Sequence, residues 1–154
     1  MVTKARPRTG KAQENIPEAK IQVSVDLDRP GYKVSMSADH QEAGVDLGIL
    51  IHMLEQFFRF SLFGANIVSH GDYAHHAVEE TAKILGQAIR DALSDTREAI
   101  QRTGFHMMPM EGILVTVSLD ISNRGPTLIN LDALNNKALA SMAQHMLDVM
   151  AKHG

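Results

Sequence analysis

His52-Met53-Leu54-Glu55 returns as His145-Met146-Leu147-Asp148. Each copy lies in a stretch whose apolar residues recur at intervals of three and four, the spacing of a helix with one core-facing side. In the first, over 44–62, these are Leu47, Leu50, Ile51, Leu54, Phe57 and Phe58; in the second, over 133–152, they are Leu139, Met142, Met146 and Val149. Each copy also follows two strand-like segments. Ile21, Val23, Val25 and Leu27 alternate with polar residues, as do Tyr32, Val34 and Met36. The intervening Asp28-Arg29-Pro30-Gly31 has turn chemistry, which predicts a hairpin. Ahead of the second copy stand the alternating Ile113, Val115, Val117 and Leu119, then Leu128-Ile129. The echo therefore predicts a duplicated unit.

Between the two copies, Ile67-Val68 is a short strand candidate. Val78, Ala82, Leu85, Ile89 and Leu93 form one stripe of a helix over 75–93, with Asp72 placed to cap it and Arg90 in its last turn. Gly104 and Pro109 predict an irregular 101–111, and Asp132 is the candidate cap of the last helix. The expected order is β-β-α-β-α, then β-β-α. Residues 1–17, with Pro7, Gly10 and Pro17 and no apolar period, read as a flexible basic arm ahead of a first repeat (18–95) and a partial second repeat (96–154).

The chain has 154 residues, 44% hydrophobic and 21% charged, which suits a globular domain that buries a real core. It has no cysteine, which excludes disulfides, thiolate metal sites and cysteine nucleophiles. The composition and the absence of an apolar leader predict a cytoplasmic protein with no membrane span. The net charge of −3 hides an asymmetry: residues 1–13 carry four bases and no acid, and the rest of the chain sums to −7. An acidic body argues against nucleic acid as a partner. The basic segment reads as a solvated arm or an assembly contact.

Histidine is over-represented, with eight residues. In His75-His76-Ala77-Val78-Glu79-Glu80, helical spacing sets His76 beside Glu79 and Glu80. Imidazole with carboxylate suits manganese, iron, cobalt or zinc; a solvated first turn gives the same pattern. His52 heads a polar stripe with Glu55, Gln56 and Arg59, and His145 has Ser141 and Asp148 as helical neighbours. Arg102 and Arg124 flank glycine-containing turns, where a guanidinium fork can take phosphate or simply face solvent.

Taken in order, these motifs resemble imidazoleglycerol-phosphate dehydratase. The resemblance runs over 18–151 and centres on His75-His76-x-x-Glu79-Glu80-Thr81-Ala82 and Leu85-Gly86-Gln87-Ala88. His52-Met53-Leu54 with Gln56, Gly71-Asp72, Arg102-x-Gly104, Pro109-Met110 and Asp120-Ile121-Ser122-Asn123-Arg124 follow the family's order. It implies an α+β fold, a ribosomal protein S5 domain 2-like repeat with helices on one face of a sheet. It also implies a homo-oligomer and a divalent metal, manganese, held by His52, His75, His76, Glu79 and His145. Glu18 and Glu79 would be the catalytic carboxylates, and Gln56, Arg102 and Arg124 would bind a small phosphorylated substrate. The implied reaction is elimination of water from a phosphorylated imidazole-type substrate, with the metal stabilising an imidazole anion. The family's second double-histidine helix has no counterpart before Gly154, and Ile51 stands where the family has aspartate. The alternative reading is therefore a non-catalytic oligomeric scaffold, or a partner of a chain that supplies the missing ligands.

Overall fold

The computed structural model describes residues 7–94, 100–110, 112–122 and 127–154. It is an α+β fold with nine elements among these residues: β1 (Thr9–Asn15), β2 (Ala19–Asp26), β3 (Gly31–His40), α1 (Leu47–Ser61), β4 (Gly64–Tyr73), α2 (Ala74–Leu93), β5 (Thr103–Met110), β6 (Ile113–Asp120) and α3 (Lys137–His153). The first four strands form one sheet in the order β1-β2-β4-β3, and β5-β6 form a separate hairpin.

The inward residues of β2 follow the predicted alternation: Ile21, Val23 and Val25 are buried, with Ile67 of β4 beside them. Leu50, Leu54 and Phe58 of α1 and Val78, Ala82, Leu85 and Ala88 of α2 close over that face as one cluster. Each fully buried large apolar side chain contributes roughly 1.5–3 kcal/mol. Ser69 and Thr81 are the polar residues inside it. Thr81 Oγ1 donates to the Ala77 carbonyl at 2.6 Å and lies 2.8 Å from Ser69 Oγ, so α2 is pinned to β4 without an orphaned group.

The expected β2–β3 hairpin does not form. β4 lies between them, antiparallel to β2 and parallel to β3. Alternation specifies which face of a strand is buried, not which strand is its neighbour. The turn after β2 passes over the start of β4, where a Cβ on Gly64 would lie 2.6 Å from the Arg29 carbonyl oxygen. Glycine there makes the crossing possible.

Thr9–Asn15 of the expected arm is strand β1, paired along its whole length with β2. Its Gly10 lies so close to α2 that a Cβ would collide with the Ala88 carbonyl and the Ala92 nitrogen. Arg8 ties the start of the strand to Asp28, with its backbone nitrogen 2.7 Å and its Nε 2.8 Å from the carboxylate oxygens. The 101–111 segment also differs from expectation: 103–110 is β5, and Gly104 and Pro109 are accommodated because a two-stranded hairpin has only edge strands.

The two hairpins reveal the true start of the repeat. Thr9 pairs with Asp26 and Thr103 with Asp120. Leu27 N donates to Arg8 O at 2.9 Å, and Ile121 N to Arg102 O at 3.1 Å. Arg8-Thr9-Gly10 and Arg102-Thr103-Gly104 thus occupy equivalent places, and β1 belongs to the first unit. The expected boundary at 95/96 lies outside the described residues. Leu128-Ile129, an expected strand, is not one. In the first unit the corresponding β3 pairs only with β4, and no β4-like strand stands beside residues 127–136 among those described. For the same reason neither face of β6 is covered among the described residues, and Val115, Val117 and Leu119 are exposed.

Helix α3 begins at Lys137 rather than 133 because Asn136, not Asp132, caps it, accepting the Leu139 N–H at 3.1 Å. It packs through Met146 and Val149 into the core. Gly86 of α2 lets it approach: a Cβ there would strike the Met150 carbonyl. Among the described residues no helix is long and apolar enough to cross a membrane.

Candidate functional site

The end of β4 and the first turn of α2 hold the densest polar constellation. Tyr73 is the N-cap of α2 and provides no side-chain cap. Asp72, the expected cap, instead accepts from Tyr73 N and from the His76 ring, both at 2.6 Å. Glu42, in the loop between β3 and α1, reaches across to the helix: its Oε2 accepts from His75 N at 3.0 Å and lies 2.6 Å from His75 Nδ1. The rings of His75 and His76 are 4.0 Å apart, with Tyr73 at 6.0 and 5.9 Å from them.

Charge follows geometry. The His76 ring holds the Asp72 carboxyl below its ordinary value, and the His75 N–H and ring do the same for Glu42. The Asp72 hydrogen bond raises His76 above the usual imidazole value against partial burial, with further help from Asp72, Glu18 and Glu42 charges. Glu18 is exposed at the start of β2, and its carbonyl accepts Asp72 N at 2.9 Å. The pairing of β2 with β4 thereby brings it to the same corner.

One turn along α2, Glu79 faces α3, where His145 Nε2 lies 3.6 Å from its Oε2. The two predicted ligand groups thus meet across the α2–α3 junction. Glu80, which helical spacing also placed beside His76, points elsewhere. It joins Lys83 at 2.7 Å, and Lys83 reaches Glu14 of β1 at 2.6 Å. Burial and the nearby Glu14 raise the Glu80 carboxyl.

The remaining predicted residues are not drawn in. His52 is exposed and Gln56 half-buried on α1, with no side-chain hydrogen bond or ion pair to a described residue. Arg102 lies at the root of the β5-β6 hairpin, 3.5 Å from Asp120. Arg124 lies outside the described residues. Sequence reading missed Glu42 altogether, since it sits in a loop with no periodic relation to His75. It also missed His70, whose Nδ1 is 3.1 Å from Ser37 Oγ and whose Nε2 is 3.5 Å from Asp39; these pairs need the parallel β3–β4 register, which alternation does not reveal.

The donor chemistry, imidazole with carboxylate, suits a first-row divalent metal. Among the described residues, however, no three His, Asp or Glu side chains converge as a metal requires. The described residues of one chain present pairs of donors rather than a set that fits the ion.

Residues 45–154 match the sequence model of imidazoleglycerol-phosphate dehydratase. The imidazoleglycerol-phosphate dehydratase of a Nocardioides species is 33% identical over 160 aligned positions, which cover 96% of this chain and 75% of that protein. The histidine biosynthesis bifunctional protein HisB of Stenotrophomonas maltophilia K279a is 41% identical over 122 positions, covering 77% of this chain and 31% of that one. The structure of the Pyrococcus furiosus dehydratase matches with a TM-score of 0.60 at 28% identity, covering 92% of this chain and 73% of that chain. The Staphylococcus aureus enzyme, at 23% identity and a TM-score of 0.58 over 94% of this chain and 79% of its own, shares the fold. With more than half its length matched, the chain belongs to the imidazoleglycerol-phosphate dehydratase family.

Proposed function

We propose that the protein is a hydro-lyase that eliminates water from imidazoleglycerol phosphate or a closely related phosphorylated imidazole substrate, in histidine biosynthesis. The observation that carries this reading is the meeting of Glu79 of α2, one turn along from His75 and His76, with His145 of α3. It sets the double-histidine helix of the first unit against the helix of the second unit that echoes α1.

The chemistry matches the residues. Eliminating water from a glycerol chain removes a proton from carbon and a hydroxide from its neighbour, giving an enol that becomes a ketone. Glu79 and Glu18 are the carboxylates placed to take and return protons. Asp72 and Glu42 fix the imidazoles. Arg102, with Arg124, takes the phosphate, and Gln56 contacts substrate; both demands require α1 and the hairpin of a neighbouring chain to reach the corner. A homo-oligomer is supported by the uncovered apolar faces of β6 and α1. A bound divalent metal, manganese in the first instance, would take its remaining donors from a second chain.

The test is turnover by the purified assembly, followed as formation of the ketone. Glu79→Gln is expected to lower kcat by about 100-fold or more. Full activity in that variant would contradict the assignment.

A further inference from the structure

We propose that Glu42 is a positioning residue for His75. It fixes the ring in the tautomer with the proton on Nδ1, so that Nε2 is the nitrogen offered to a ligand. The proposal rests on the reading that His75 acts in the site. Glu42 itself lies outside every motif by which the family resemblance was traced.

The geometry is specific. A single carboxylate oxygen, Oε2, accepts from the His75 backbone N–H at 3.0 Å and lies 2.6 Å from ring Nδ1. An ionised carboxylate only accepts. In neutral imidazole, a nitrogen that meets such an acceptor must carry the hydrogen, which leaves the other nitrogen with its lone pair. The backbone bond matters equally. It anchors the carboxylate to the helix that carries the ring, so ring rotation breaks the ring bond without moving the acceptor. His76 Nδ1 also meets a carboxylate, that of Asp72, but that pair is four residues apart within one segment and Asp72 takes the backbone N–H of Tyr73. Glu42 comes from 33 residues away. The loop between β3 and α1 thereby determines the presentation of a residue on α2. Carboxylates behind histidine ligands commonly set ring orientation and basicity, and their loss costs about 10- to 100-fold in affinity or activity.

The test is magic-angle-spinning NMR of histidine-labelled protein, which is indifferent to assembly size. Spectra are taken at about pH 8, above the ordinary imidazole range, and the His75 signal is identified by its loss in His75→Gln. Native protein is expected to show Nδ1–H. Glu42→Gln, whose amide oxygen still accepts, is expected to keep it. Glu42→Ala is expected to move most of the proton to Nε2 and to lower kcat by about 10- to 100-fold with KM within about twofold. An Nε2–H tautomer in native protein, or an unchanged tautomer in Glu42→Ala, would overturn the proposal, and falling activity with an unchanged tautomer would mean that Glu42 only caps the helix. A native protein without dehydratase activity would remove the functional reading, while the tautomer spectra would still decide this one.

Discussion

His145 of α3 lies 3.6 Å from Glu79 of α2 across the seam between the two units of the fold. The pair is half-exposed, so its direct contribution to stability is small. Its importance is placement. The echo that reveals the duplication sets His145 where the first unit has His52, and only His145 meets the double-histidine helix.

That asymmetry gives the first prediction. His145→Ala should lower turnover by about 10-fold or more while changing the melting temperature by no more than a surface substitution does. His52→Ala should do the same only in the assembled protein, because the proposed site gives it a partner from another chain. Equal loss in assembled and dissociated protein would contradict a shared site.

Packing gives the second. A methyl at Gly10 meets the backbone of α2, and one at Gly86 meets the backbone of α3. Neither neighbour is a side chain that can swing aside. Gly10→Ala and Gly86→Ala should each destabilise by about 1–3 kcal/mol or more in denaturant unfolding. Gly104→Ala, with open space around its Cβ, should be near neutral by comparison.

Acid sensitivity of β1 gives the third. The Arg8 backbone N–H and guanidinium hold the Asp28 carboxyl below its ordinary 3.8. The folded chain therefore binds fewer protons at Asp28 than the unfolded one. The stabilisation is complete above the unfolded value and is lost as pH falls through the lower folded value. Hydrogen exchange of the β1 amides should accelerate in that acid window in the native protein. Asp28→Asn should remove the pH dependence at this end of the strand.

Assembly gives the fourth. Ile49, Met53 and Phe57 on α1 remain substantially exposed. In the echo they correspond to Met142, Met146 and Met150 of α3, which pack against or into the core. The α1 face thus has the composition of a packed helix and no helix against it among the described residues. Sedimentation should give a mass above one chain, and Met53→Glu with Phe57→Glu should reduce it. A single-chain mass for the native protein would contradict the oligomer.

How much of this was legible beforehand depended on how local each signal was. Helical periodicity located α1 and α2 to within a few residues, since i, i+3 and i+4 spacing is a property of one segment. The strand residues Ile21, Val23 and Val25 were legible as inward-facing for the same reason. Partner choice was not: β4 enters between β2 and β3 from 24 residues beyond β3, and nothing within β2 records it. β1 was hidden because its inward positions are Gly10, Ala12 and Glu14, which have no apolar period. The smallness of Gly10 reflects its contact with α2. At the site, His75, His76 and Glu79 were visible as a helical cluster. Glu42 and the Asp72–His76 bond depend on how a loop and a strand end meet that helix.

The most direct measurement is turnover of imidazoleglycerol phosphate by the native assembly supplied with manganese, alongside His76→Ala. The account predicts stoichiometric release of the ketone product by the native protein, and a rate reduced by about 100-fold or more in the variant. No product from correctly folded, assembled, manganese-supplied protein would contradict the assignment of this corner as a hydro-lyase site.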